Sequence, residues 1–420
     1  MKTTALSYFA IVSLAGSALA QGVPEPLSEP CDCLLKGGSL EIIDLSQPGF
    51  AGYTVNDLNN VGQVLMRMAA SPGGIGPGFV WQDGAVIALR SPPPSAGGSF
   101  DLPVGEALND AGQIAGFSQA SVTSAATVWA SPTSDGVLHY LQGQDPATDT
   151  PAPARYFGIS PSGVLAGHIL EPVLGQAVLN RSGGTFFEAL PRRGPGSACT
   201  ELGDAVDDRG VVVGFSDNPD TGGCGVQATI WDIDGQPDAL PGTSSFASRA
   251  YAINEAGQVA VAGGVGYVVD LSSGGAPVEL AQLNPQDINA AGVVAGRWPF
   301  GDDGRMWYGG AYVRLIDRVD PAEGWTALGG AVAINDSCWM VGLGTRDGVE
   351  GVPYLVMPGA DCVEPCAIDY DGDGVATIFD FLAFQNLFAM GDLAADFDGD
   401  GSLTLFDFLA FQNAFVDGCP

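Results

Sequence analysis

Two acidic loops near the C-terminus have the residue types and spacing of a calcium site. The first reads Asp369-Tyr-Asp-Gly-Asp-Gly-Val-Ala-Thr-Ile-Phe-Asp380, the second Asp396-Phe-Asp-Gly-Asp-Gly-Ser-Leu-Thr-Leu-Phe-Asp407. Residues 369–388 and 396–415 share 15 of 20 positions, so the segment is an internal duplication. Calcium takes six to eight oxygen ligands, and a twelve-residue loop supplies them from positions 1, 3, 5, 7, 9 and 12 around a glycine at position 6. The spacing assigns Asp369, Asp371, Asp373, Val375 (through its carbonyl), Thr377 (through a water) and Asp380 to one ion. Asp396, Asp398, Asp400, Ser402, Thr404 and Asp407 take the same roles for a second. Residues 366–420 contain ten Asp and no Lys, Arg or Glu. Charge of that density calls for bound cations.

A helix is expected directly after each loop, Phe381 to Phe388 and Phe408 to Phe415, with one apolar stripe on each. An ordinary calcium-binding EF-hand carries Glu at position 12; here Asp380 and Asp407 stand there, and no helix enters the loop. Two such loop–helix units over 366–420 resemble the dockerin family. The resemblance implies a calcium-dependent plug and a cohesin-like or other extracellular protein partner. Positions 10 and 11, polar partner-contacting sites in that family, are Ile378-Phe379 and Leu405-Phe406 here.

The rest of the chain is a repeat. Leu58-Asn-Asn-Val-Gly62, Leu108-Asn-Asp-Ala-Gly112, Ile159-Ser-Pro-Ser-Gly163, Val206-Asp-Asp-Arg-Gly210, Ile253-Asn-Glu-Ala-Gly257, Ile288-Asn-Ala-Ala-Gly292 and Ile334-Asn-Asp-Ser-Cys338 are seven copies, the last without its turn glycine. They stand 50, 51, 47, 47, 35 and 46 residues apart, a period of propellers or solenoids. Each copy reads as a strand, an Asn/Asp-x-Gly turn whose residues tolerate positive φ, and a Val/Ile/Ala strand. A third strand often ends in Trp (Trp81, Trp129, Trp231) and a fourth in Leu (Leu89, Leu141, Leu190, Leu240, Leu280, Leu328). Four strands per copy match a propeller blade.

The seventh copy stops after its third strand, while the array opens with an orphan strand, Leu40-Glu-Ile-Ile-Asp-Leu45. If the orphan completes the last blade, no edge remains. The expected fold is mainly β: a seven-bladed β-propeller closed by an N-terminal strand, then a small α-helical dockerin-like module with two calcium loops. An open solenoid is the rival. The pattern over about 40–358 resembles the HAF family of extracellular repeats, which implies a fold and an export route.

Residues 1–20 read as a secretory signal peptide, with Lys2, an apolar stretch and Ala18-Leu-Ala20 before the cut. The expected layout is 1–20 signal, 21–39 N-terminal segment, 40–358 propeller, 359–365 linker and 366–420 calcium module. No second stretch is long enough to span a bilayer. With 48 acidic and 15 basic residues and a formal net charge of −33, nucleic acid is excluded as a partner. Eight cysteines in an exported chain read as disulfides, with Cys366–Cys419 and Cys199–Cys224 as the favoured pairs.

Long insertions at 90–104, 142–156, 191–203 and 215–225 fall on one propeller face and suggest a binding surface. Arg155, Arg192 and Arg193 there could meet a carboxylated sugar or offset nearby acids. Trp298 and Trp307 could stack on a sugar ring or be buried. His139 and His168 have no metal-ligand spacing, and no catalytic residue is assigned. Asp110, Asp207, Asp208, Glu255 and Asp336 sit at turns, where acids need no catalytic reason. The favoured function is a secreted calcium-binding modular protein, the propeller binding or displaying a ligand such as a polysaccharide and the module attaching it. The alternative is a glycoside hydrolase or polysaccharide lyase with a dockerin-like tail.

Overall fold

A computed structural model describes residues 27–417 except 48–51, 71–73, 96–97, 122, 171–174, 194–199, 218–224, 244–246, 275, 363–367, 369, 371–376 and 398–400. The chain divides into two compact units, Met1–Met357 and Pro358–Pro420.

The first unit is a seven-bladed β-propeller of seven sheets, in five of which the strands pair strictly in chain order. The innermost strands are Tyr53–Leu58, Leu102–Leu108, Ala154–Ile159, Leu202–Val206, Arg249–Ile253, Asn284–Ile288 and Trp325–Ile334; the blades are numbered in that order. Second strands are apolar on both faces because neighbouring blades cover both. Val64, Leu65 and Met66 are fully buried, as are Val259, Ala260 and Val261. Trp129 and Trp231 are fully buried too. Each indole donates to the end of the preceding blade, at the Arg90 carbonyl (2.7 Å) and the Pro191 carbonyl (3.0 Å).

Blade 7 is completed by the N-terminal strand Leu40–Asp44, hydrogen-bonded beside Val349–Pro358. Leu45 continues the pairing by donating to the Pro353 carbonyl (3.0 Å). Its side chain joins a core shared by blades 1 and 7, including Val55, Phe79 and Leu355. The ring therefore has no free edge at the seam.

Two fourth strands differ from expectation. Blade 2 ends at Val137–Leu138, and Tyr140–Leu141 crosses over to pair in parallel with Phe186–Ala189 of blade 3. The fourth strand of blade 6 is Ala311–Arg314, and Leu328 belongs to the innermost strand of blade 7. Leucine spacing alone did not separate strand ends from strand interiors.

The turn geometry is also more selective than a generic Asn-x-Gly turn. Only the last residue, such as Gly62 (φ 77°) or Gly210 (φ 81°), adopts positive φ. In blade 7 Cys338 holds that conformation (φ 58°), which costs a residue with a Cβ about 1–2 kcal/mol. The side chain has a use: Cys338 forms a disulfide with Cys31 in helix α1 (Glu29–Lys36), 307 residues away. Cys33 and Cys362 are also disulfide-bonded. The expected Cys366–Cys419 and Cys199–Cys224 pairs lie outside the described residues.

In the second unit two helices, α2 (Ile378–Met390) and α3 (Leu405–Asp417), are joined through a short 3-10 turn at Leu393–Ala395. The duplicated Phe384 and Phe411 stack face to face, 4.0 Å between centroids, and both are fully buried. Ile368 and Ala395 complete this core.

Candidate functional site

The asparagine of the repeat motif is a clasp between blades. In Asn59 the side-chain oxygen accepts from the Gln63 amide (2.9 Å), holding its own turn, while the amide nitrogen donates to the Asn109 carbonyl of the next blade (3.0 Å). Asn109, Asn254 and Asn289 reach forward in the same way, and Asn335 donates to the Asn59 carbonyl (3.3 Å), closing the circle. Ser160 and Asp207 stand at this position in blades 3 and 4 and have no amide to give. There the next turn residue bridges the blades. Asp208 accepts from the Ser162 amide (2.8 Å), and Glu255 from the Asp208 amide (3.0 Å). Asp110 and Asp336 accept similarly from Asn60 and Ala290. These four turn acids thus each accept from a backbone amide of the preceding blade.

Each innermost strand carries a β-bulge at the same place, two residues before the Ile, Leu or Val that precedes the turn. A bulge leaves one residue unpaired and re-aims it. The bulged residues are Asn56, Glu106, Phe157, Asp204, Tyr251, Gln286 and Val332, and all seven line a central cavity of about 410 Å³. The repeat is most regular around them and least regular at them. The second-strand glycines betray the bulge: a Cβ on Gly116 would sit 2.1 Å from the Val104 carbonyl oxygen, and one on Gly214 1.9 Å from that of Leu202. Stacking the repeats on their recurrent Ala-Gly or Val-Gly pair would have found this ring; reading motifs one at a time did not.

One mouth of this channel gathers arginines. Arg155 and Arg249 occupy equivalent positions at the start of the innermost strands of blades 3 and 5. Their guanidinium groups lie over Phe117 (4.2 Å) and Phe215 (5.2 Å) of the preceding blades. Arg67 and Arg297 stand at the paired second-strand position of blades 1 and 6. Arg249 donates from Nε and Nη2 to both oxygens of the buried Asp204 (2.7 and 2.5 Å), and Arg67 lies 3.6 Å from Glu106. Arg155 donates to Ser124 Oγ (3.2 Å). It has no carboxylate within ion-pair distance among the described residues.

Arg155 therefore belongs to an innermost strand, Ala154–Ile159, and not to the expected loop. His168 likewise lies on a buried strand (Leu165–Ile169), opposite Arg155. It stacks flat on Phe157 at 5.0 Å. Burial, Arg155 and Arg249 lower its pKa to about 4, so it is neutral; its Nδ1 has no hydrogen-bond partner. Arg193 holds Gln227. His139 is packed against Tyr156 (3.0 Å). Trp307 is buried, whereas Trp298 is partly exposed beside the exposed Phe300.

Two further acids face the channel, Asp57 and Asp287. Burial raises Asp57 to about 8, aided by Asp287, and raises Asp287 to about 6. Both carboxylates brace strands: Asp57 accepts from the Leu58 and Leu108 amides (2.8 and 2.6 Å), and Asp287 from Ile288 and Ile334 (both 2.8 Å).

Of the expected calcium ligands, Thr377, Asp380, Asp396, Ser402, Thr404 and Asp407 are described; Asp369, Asp371, Asp373, Val375, Asp398 and Asp400 lie outside the described residues. Among the described residues no group of three or more acidic, His or Cys side chains converges. Thr377 and Thr404 cap α2 and α3 by accepting from Phe379 and Phe406 (both 3.1 Å). Asp380 and Asp407 are fully buried. They accept from equivalent backbone amides, Tyr370 and Thr377 in one copy (2.9 and 2.7 Å), Phe397 and Thr404 in the other (2.9 and 2.6 Å). Asp396 Oδ1 is buried without a hydrogen-bond partner. An orphaned carboxylate oxygen at position 1, in a segment without its own cations, fits a hard cation.

No family model matches the chain, and no curated protein matches it. Among solved structures it is similar to a TolB-type protein from Agrobacterium tumefaciens, at 14% identity over 76% of this chain and 97% of that one, with a TM-score of 0.37. A TolB from Acinetobacter baumannii matches at 11% identity over 74% and 64%, TM-score 0.36. YCF48 bound to D1 peptide matches at 12% over 63% and 76%, TM-score 0.34. Likeness at this level carries no functional argument.

Proposed function

We propose that this chain is a secreted two-part binding protein. Its HAF-like propeller holds a ligand in the central channel, and its dockerin-like, calcium-organised module attaches it to another extracellular component. The bulged ring carries this reading. A propeller serving only as a spacer has no use for seven different side chains at the bulge of one cavity, when the flanking turn and strand positions recur in most blades.

Attachment is supported by the apolar pairs Ile378-Phe379 and Leu405-Phe406. All four are 60–70% exposed, an expensive arrangement unless something covers them. In this reading each loop holds one Ca²⁺ through the carboxylates named above. The metal relieves repulsion among the acids and lets α2 and α3 pack. The described disulfides agree with an oxidising compartment, and no helix of the described residues is long and apolar enough to cross a membrane.

A hydrolase or lyase is the second reading, favoured by Glu106 and Asp204, acids present at the bulge in two blades only. One experiment separates the two. The full chain is incubated with immobilised plant, algal and bacterial polysaccharides, with and without calcium, and both retention and new chain ends are measured. Retention without cleavage is expected. New chain ends would move the chain to the enzymes, and neither result on any polymer would sink the polysaccharide assignment.

A further inference from the structure

The channel has two chemically different mouths. At the turn end, Asp110, Glu255 and Asp336 surround a cavity of about 220 Å³. At the other end of the innermost strands, equivalent or paired positions carry Arg67, Arg155, Arg249 and Arg297, with Arg249 lining the cavity itself. They are four of the 13 arginines in a chain of net charge −33. Their own acids are fewer: Asp204 is committed to Arg249, and Glu106 lies nearest Arg67.

Resting on the reading of the propeller as a binding module, we propose that this arginine-lined mouth binds an acidic saccharide, a uronic-acid oligomer, with the sugar carboxylate on Arg155. Arg155 is half-buried, lies over Phe117, and shares its strand with the channel residue Phe157. Burial and Arg67 both work against its charge, while Glu106 supports it. A guanidinium in that position gains from an incoming carboxylate, which it can engage with two parallel N–H bonds. Beneath it the neutral His168, with its unpartnered Nδ1, leaves one polar atom unsatisfied on the same wall.

The remaining channel chemistry suits a hydroxylated ring. Phe157 and Tyr251 are the aromatic residues of the lining, each with one face taken, by His168 and by the Arg249 guanidinium. Asn56 and Gln286 add side-chain amides whose nitrogens donate to the Gly105 and Pro285 carbonyls. The cavity of about 410 Å³ falls in the range of small-ligand pockets, about 300–1,000 Å³. An acidic peptide would share the carboxylate but would also need backbone partners. The bulges and the Asp57 and Asp287 braces break the innermost strands as templates for an added strand.

The test is calorimetric titration of the full chain with a trimer of galacturonic acid, the same trimer after carboxyl reduction, and a glutamate-rich hexapeptide. The acidic trimer should bind, and the reduced trimer should bind about 10- to 100-fold more weakly, the loss of the charge-assisted pairing with Arg155. Arg155→Gln should reproduce that loss for the acidic trimer and leave the weak binding of the reduced trimer unchanged. The ligand comparison on the unaltered protein needs no variant to fold. Equal binding of both trimers would overturn the carboxylate anchor while leaving the binding module standing. Preference for the peptide would overturn the saccharide class alone. No heat from any of the three, with polysaccharide retention still observed, would remove the channel as the site; loss of retention as well would remove the binding reading itself.

Discussion

The two compact units meet the same difficulty, carboxyl groups inside a protein, in opposite ways. The propeller answers it with its own groups. Asp204 is clamped by Arg249 and Asp207 by Arg209, while Asp57 and Asp287 are bound by strand amides. The terminal unit buries Asp380 and Asp407 completely among eight other aspartates, without an arginine or lysine in residues 366–420. Its amides satisfy some lone pairs and leave the charge. One unit is ordered from within; on the proposed reading the other borrows its order from calcium in solution.

Calcium removal should break this contrast most sharply. Under excess chelator, α2 and α3 should lose their amide hydrogen-exchange protection almost entirely while the propeller strands keep theirs. Protection of α2 and α3 unchanged by chelator would mean that the terminal unit, too, is ordered from within.

A smaller effect is expected from opening the ring's seam. Asn335→Ala deletes the donor to the Asn59 carbonyl and the acceptor for the Trp339 amide. Leaving such buried groups unpaired costs about 1–3 kcal/mol each. Propeller melting should fall accordingly, with α2 and α3 unaffected. Ser337→Ala, one turn residue away, serves as the control.

The smallest effect is in pH, and its sign differs between the units. Asp57, Glu255 and Asp287 hold their protons more tightly folded than unfolded, with pKa values near 8, 7 and 6, mainly through burial. At these three acids the folded propeller holds protons that the unfolded chain has released, while His139 and His168, lowered by burial to about 4, pull the other way below about pH 6.5. The stability the three acids contribute is complete below the usual carboxylate range and is lost as pH rises through about 6 to 8. The proposed calcium loops should run the other way, since calcium ligands must be ionised. Melting followed from about pH 6.5 to 9 in calcium, above the range in which the histidines contribute, should show the propeller transition drifting down by a few degrees. Asp57→Asn should flatten the drift; an unaltered slope would show that Asp57 titrates normally.

Much of this was legible in the sequence because it repeats. Turn glycines such as Gly62 and Gly210 recur, so the blades could be counted, and the strand at Leu40 was visible as the piece missing from blade 7. The clasp role of Asn59 and Asn335 was hidden because Asn is also a common turn residue; only the neighbouring blade's carbonyl distinguishes the two. The bulged ring was hidden for the opposite reason. Glu106, Phe157 and Tyr251 share no chemistry, so they look like noise until the backbone shows that they share a position. Cys338 was flagged as a lost glycine, but its partner Cys31 lies beyond any local pattern.

The pairing of Leu40–Asp44 with blade 7 also imposes a schedule. The residues that complete the ring are made first and must wait for those made last. At about 5–20 residues per second, the 307 residues separating Cys31 from Cys338 take roughly 15–60 s to synthesise. Through that interval the first strand exists without its partner. A chain that stops short of residue 338 can neither pair it nor form the disulfide. Closure thus reports on completeness: an interrupted product is marked by an unpaired strand and a free Cys31, the features that quality control recognises.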